Sequence, residues 1–148
     1  MRPMTAWLLD LGAGRVAAVA EREMLHLVPD PQCFELPQTP VHCRRVLRWQ
    51  DRILPVWDVA AWLGAEPWPA AARVVAVVGY QKRRREAPRY GALLLAAPPV
   101  RVKVTDDDAC ELLQDGAGWE ALAVSCFRYR EQPIPVLNLR RLFYPECN

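Results

Sequence analysis

This sequence has little histidine, almost no net charge and no long apolar run, and each shortage closes off a class of function. Only His26 and His42 occur in 148 residues, neither at a His-x-x-x-His spacing nor beside a cysteine pair. That pattern gives no zinc centre of the usual kinds. No P-loop, Gly-x-Ser-x-Gly elbow or Gly-x-Gly-x-x-Gly fingerprint is present, which argues against the common phosphate, acyl and dinucleotide chemistries. Catalytic residues, metal ligands and cofactors are therefore all expected to be absent. Nineteen basic residues against 17 acidic ones leave a formal charge of +2. So small an imbalance does not make nucleic acid the main partner. The longest apolar stretch, Gly91 to Val100, contains Pro98-Pro99 and is about half the roughly 20 residues a spanning helix needs. Near the N-terminus the run Ala6-Trp7-Leu8-Leu9 stops at Asp10, short of a signal-peptide core. A cytosolic protein without membrane insertion is expected.

What is present points to a packed β protein. Hydrophobic residues make up 52% and charged residues 24%, a globular composition. At this length folding buries roughly 70% of the unfolded chain's surface, so the core needs no disulfide or metal. Five cysteines at wide, irregular spacing, an odd number with no Cys-x-x-Cys, read as reduced thiols, most of them filling apolar space.

An internal repeat organises the chain. Trp49 to Leu63 aligns with Tyr129 to Phe143, 80 positions later. Aromatic stands opposite aromatic (Trp49, Tyr129), acid opposite acid (Asp51, Glu131), and Pro55-Val56 and Pro135-Val136 are each followed by Asp58 or Asn138. Each copy predicts a strand (Arg52 to Trp57, Gln132 to Leu137). A side-chain N-cap at Asp58 or Asn138 then opens little more than one helical turn. Because Pro55 and Pro135 lack an amide donor, their strands should be edge-like or irregular there. Further strands are expected at 6–11 and 16–20 around the Gly12-Ala13-Gly14 turn, at 74–80 and 90–95, and in hairpins at 46–56 and 122–137. The Pro-rich stretch 64–71 reads as a linker between the halves, and 29–40 is a second Pro-rich stretch inside the first half. The fold class is mainly β: two small barrel halves with short helices, the halves falling near 1–66 and 72–143 with the termini free to cross over.

The run Val46-Leu47-Arg48-Trp49-Gln50-Asp51-Arg52-Ile53-Leu54-Pro55-Val56-Trp57-Asp58-Val59 resembles the signature of CheW-like domains. Tyr90-Gly91 and Ile134 to Leu139 also fall where that family carries strands, and the likeness spans about Trp7 to Phe143. The resemblance implies two five-stranded, SH3-like barrels around a shared core and no catalytic activity. It also implies a stand-alone adaptor linking the cytoplasmic tip of chemoreceptors to the regulatory domain of a CheA-type histidine kinase, with other CheW-like proteins as further partners. The candidate partner-binding residues are Arg48, Trp49, Gln50, Asp51, Arg52 and Leu54. Gln50 stands where the family carries a functional Arg, Asp51 where it carries a turn Gly, and Ala96-Ala97 replace a frequent acidic residue. These departures leave open a divergent adaptor, such as one in a surface-motility pathway.

Other features have plainer readings. Lys82 to Arg85 with Arg89 could bind an anion, and would support an alternative small basic barrel that binds nucleic acid, but it also fits a solvated hairpin loop. Asp106-Asp107-Asp108 lacks the spacing of a calcium loop and reads as a turn before a short helix at Cys110 to Leu113. Trp57 and Trp62 are expected in the core. Trp49, with Arg48 and Arg52 near it, has the residue mixture of an interface hot spot but also suits a cross-strand pair.

Overall fold

The computed structural model describes residues 3–66, 74–81, 83–112 and 118–143. Eleven strands form two curled sheets among these residues. The first is ordered β10-β11-β2-β1-β9 and the second β3-β7-β8-β6-β5-β4. The strands are β1 Met4–Gly12, β2 Arg15–Ala20, β3 Met24–Pro29, β4 Cys33–Glu35, β5 Arg45–Trp49 and β6 Arg52–Trp57. They continue as β7 Val74–Tyr80, β8 Arg89–Leu95, β9 Val100–Val104, β10 Ala123–Tyr129 and β11 Gln132–Leu137. One-turn helices α1 (Val59–Trp62), α2 (Trp119–Leu122) and α3 (Leu139–Leu142) complete the fold. The architecture is that of two SH3-like barrel subdomains. The second sheet exceeds the expected five strands because β4 adds itself beyond β5.

The sheets do not divide at the boundary between the repeats. The opening hairpin β1–β2 pairs with β9 and β11, whereas β7–β8 pairs with β3 and β6. Each half thus lends its first hairpin to the other half's barrel. Residues 1–66 and 72–143 therefore describe the sequence repeat and not the two sheets.

The repeat is nevertheless expressed in space, position by position. Leu47, Leu54 and Val56 line the core of the second barrel with Val75, Val77 and Leu94. Their counterparts Phe127, Ile134 and Val136 line or border the first with Ala18 and Val102. Trp57 and Leu137 both enter the large core between the sheets, as do Val59 and Leu139. The caps repeat too. The Asp58 carboxylate accepts from the Ala61 N–H, and the Asn138 side-chain oxygen accepts from Arg140 and Arg141. The prolines follow the same logic. Pro55 faces Val46 on β5, but the parallel pairing of β6 with β8 starts only at Val56. Pro135 likewise immediately precedes the Val136 contact with Ala18. Both strands are interior in sheet order yet one-sided where an amide is missing, as that chemistry demands.

Two expectations differ from the structure. No helix starts at Cys110. Thr105 and Asp108 close a 3₁₀ turn over Asp106–Asp108, and Ala109 then pairs with Phe127 in extended backbone. The Cys110 N–H goes to the Cys126 carbonyl at 3.0 Å, which holds this backbone extended against β10; Leu113 lies outside the described residues. Strand β4 lies inside the Pro-rich stretch 29–40, for which no strand was expected. Of the cysteines, Cys33, Cys110 and Cys126 are free but Cys43 is disulfide-bonded; Cys147 lies outside the described residues. Most of the expected 64–71 connection does also.

The junction of α1 with the preceding loop makes stability depend on pH. The His42 ring packs 4.8 Å from Trp57 and 6.5 Å from Trp62, centroid to centroid. Burial lowers its pKa from the ordinary histidine value, and the Asp58 carboxylate only partly opposes this. The unfolded chain then takes up the proton first. His42 therefore costs no stability above its unfolded pKa, about 6.5, and stability falls as pH drops through that value towards the folded pKa. Urea unfolding at pH 7.5 and 5.5 should show a lower midpoint at the acid pH, and the drop should shrink in His42→Phe.

Candidate protein-interaction surface

The six sequence candidates lie on the β5–β6 hairpin. Trp49 pairs with Arg52, leaving a two-residue turn in which Gln50 and Asp51 both adopt positive φ, 46° and 61°. This is the left-handed pair that a type I′ hairpin requires. The repeat makes the same turn with Arg130 and Glu131, at 49° and 66°. Asn, Asp or Gly normally fills the first of these positions and Gly the second, where Asp51 stands, since a side chain in this region costs roughly 1–2 kcal/mol. Asp51→Gly should therefore raise stability by about 0.5–1 kcal/mol after the extra entropy of the unfolded glycine chain is deducted. A shifted urea midpoint at unchanged slope would register it.

Strand alternation divides the six residues between two faces. Trp49, Arg52 and Leu54 share the face that closes the second barrel. Leu54 is 3% exposed and sits in the core, so it offers no contact to a partner, contrary to its selection from sequence. Trp49 is half-buried at the open end of that core, 5.7 Å from the Tyr90 ring and 6.5 Å from His26. Arg52 lies over Tyr90 with its guanidinium 4.6 Å from the ring centroid, a cation–π contact that fixes the turn. The structural reading of Trp49, a packed aromatic pair, thus has its partner in place.

Arg48 points the other way, and residues missed in the sequence surround it. Ile53, directly opposite Arg48, is 64% exposed, and Phe34 on β4 is 57% exposed. Phe34, Val46 and Pro55 form one row across β4, β5 and β6, with exposed Leu36 beyond it. On β6 the same face runs from buried Trp57 through Pro55 to open Ile53. It is the inter-sheet core face continued past the cover of the first sheet. Glu35 and Arg45, 3.9 Å apart, form an ion pair on the opposite face of these strands. An apolar patch flanked by the exposed Arg48, beside a short edge strand, has the composition of a protein-binding surface. The signal for it was present as the alternation of Arg48, Ile53 and Pro55 with buried neighbours. Phe34 was hidden because three residues amid prolines do not read as a strand.

A second concavity lies between the two sheets. It has a volume of about 750 Å³ and is lined by Arg22, Leu25, Tyr80, Tyr90, Val124 and Arg140 among others. The basic connection places Arg83, Arg84, Arg85 and Arg89 in solvent, with a tight turn from the Glu86 N–H to the Arg83 carbonyl; Lys82 lies outside the described residues. No group of three or more metal-ligating side chains occurs among the described residues, and no helix there is long and apolar enough to cross a membrane.

A family model of the CheW-like domain matches residues 12–91, from the β1–β2 turn through the β5–β6 hairpin into β8. The chain belongs to the CheW-like domain family. In three dimensions this CheW-like chain is similar to the scaffolding protein TtCheW of Thermoanaerobacter tengcongensis, with a TM-score of 0.78 at 14% identity. The match covers 97% of this chain and 89% of that one. At that identity the likeness speaks for the fold. No curated protein matches the sequence. Family membership places the chain with non-catalytic adaptor domains of chemotaxis.

Proposed function

We propose that this CheW-like chain is a non-enzymatic adaptor that couples chemoreceptors to a CheA-type histidine kinase. The observation that carries the reading is the open apolar face of β4–β6 within a domain of this family. Phe34, Ile53 and Leu36 supply burial, and Arg48 with the Gln50-Asp51 tip supplies polar selection at the rim. We assign this face to the kinase regulatory domain. The concavity between the sheets, with Leu25 and Val124 on its walls and Arg22 and Arg140 at its margin, is assigned to the receptor tip. Gln50 replaces the family arginine at the turn, so the apolar face contributes more of the affinity here than the turn does.

Titration calorimetry of the full chain against the regulatory domain of the CheA-type kinase from the same organism tests the first assignment. Micromolar or tighter binding is expected. Absence of heat and of any complex by gel filtration, with kinase and with receptor-tip fragments alike, would sink the adaptor reading.

A further inference from the structure

Outside the candidate surfaces, two nucleophilic side chains meet at one point. The Cys110 and Cys126 Sγ atoms are 2.9 Å apart, and the two residues are 16 positions apart in sequence. Their backbones explain why. Ala109 pairs antiparallel with Phe127, and the Cys110 N–H donates to the Cys126 carbonyl. This register sets the two cysteines directly opposite each other, where Cα atoms lie about 5.5 Å apart. That separation falls within the span of a disulfide, and a movement of under about 1 Å brings the sulfurs to bonding distance. Cys126 is buried and Cys110 half-buried. An open cavity containing Asp108, Glu111, Arg128 and Arg130 leads to the Cys110 side.

We propose that Cys110 and Cys126 form a reversible dithiol–disulfide site that fastens the Thr105–Leu112 segment onto β10. Strand β10 is an edge of the first sheet, and the Ala109–Cys110 backbone covers it. Reduced, that cover is held by backbone pairing and packing; oxidised, it is covalent. In a reducing compartment the pair rests as two thiols and closes when the thiol pool turns oxidising.

Glutathione disulfide is the class of oxidant that balances the step. The Cys110 thiolate attacks one glutathione sulfur, the glutathione S–S bond breaks, and one glutathione thiolate leaves. The Cys126 thiol then gives up its proton and attacks the Cys110 sulfur, expelling the second glutathione. Two protein thiols are oxidised, one glutathione disulfide is reduced to two thiols, and the two protons end on them. Burial, and then the neighbouring Cys110 thiol, push the Cys126 thiol up to about 12, so the more accessible Cys110 makes the first attack.

The test equilibrates the full chain in glutathione buffers from reducing to oxidising, quenches with acid, alkylates and maps peptides by mass spectrometry. Mapping separates this bond from the disulfide at Cys43. A linked Cys110–Cys126 peptide should grow with oxidation and disappear when reduced glutathione is restored. The thermal midpoint should rise by about 5 °C or more on closure, because a loop of this length is constrained in the unfolded chain. Cys110→Ser should lack that rise. Both thiols remaining alkylatable in the oxidising buffer would overturn the proposal, as would stable glutathione adducts without the cross-link. The mapping uses the unsubstituted chain, so it decides the matter even if Cys110→Ser folds poorly.

Discussion

Ile53→Asp is expected to weaken binding to the CheA-type regulatory domain by about tenfold to a hundredfold and to leave the fold intact. Ile53 is 64% exposed and contributes little to the core, so its replacement costs the free protein within about 0.5 kcal/mol. In a complex, however, the carboxylate would be buried against an apolar surface with no partner. A loss of 1.4–2.8 kcal/mol corresponds to that tenfold to hundredfold range, and central apolar positions of interfaces commonly reach it. Phe34→Asp, one strand away, should act in the same direction. Calorimetry gives the affinity, and a thermal melt beside it establishes that the variant is folded. Unchanged affinity in both variants would remove the β4–β6 face as the kinase contact while leaving the fold and family untouched.

The adjacent residue should behave in the opposite way. Leu54→Ala is expected to destabilise the protein by about 2–5 kcal/mol, a large share of the 5–15 kcal/mol typical of a domain. Leu54 packs with Leu47, Val56, Val75, Val77, Ala92 and Leu94, at the join between two strands of one half and the hairpin of the other. Removing its isopropyl group leaves a void that β-branched neighbours, confined to few rotamers, fill poorly. Urea titration should show a lower midpoint at little-changed slope. Any loss of binding by this variant should disappear when affinity is scaled to the folded fraction. A Leu54→Ala protein of full stability would mean that this barrel core is not closed as described.

These neighbours also mark what could be read before the fold was known. The 80-residue repeat, the strand–cap–turn unit and the family likeness were all legible, because they rest on local chemistry. Period-two alternation sets a strand, an Asp or Asn oxygen caps a helix, and a missing proline amide forbids a ladder bond. The candidate site was legible as a hairpin but not as a surface. Alternation separates Leu54 from Ile53 into opposite faces, yet it does not say which face a second sheet will cover. Trp49 shows the same gap: its pairing with Tyr90 joins residues from different halves, a neighbour no local window contains.

By itself, the sequence determined that the chain is a β protein built from a repeated unit, without the residue patterns of the common enzyme classes, and of CheW-like character. Only the tertiary structure decided that each half gives its opening hairpin to the other's barrel. It alone also brought Phe34 beside Val46, turned Leu54 inward and set Cys110 against Cys126. The physical reason is that strand periodicity is carried by neighbouring residues. Which strands pair is settled by the burial of whole faces, and that depends on residues far away in the chain.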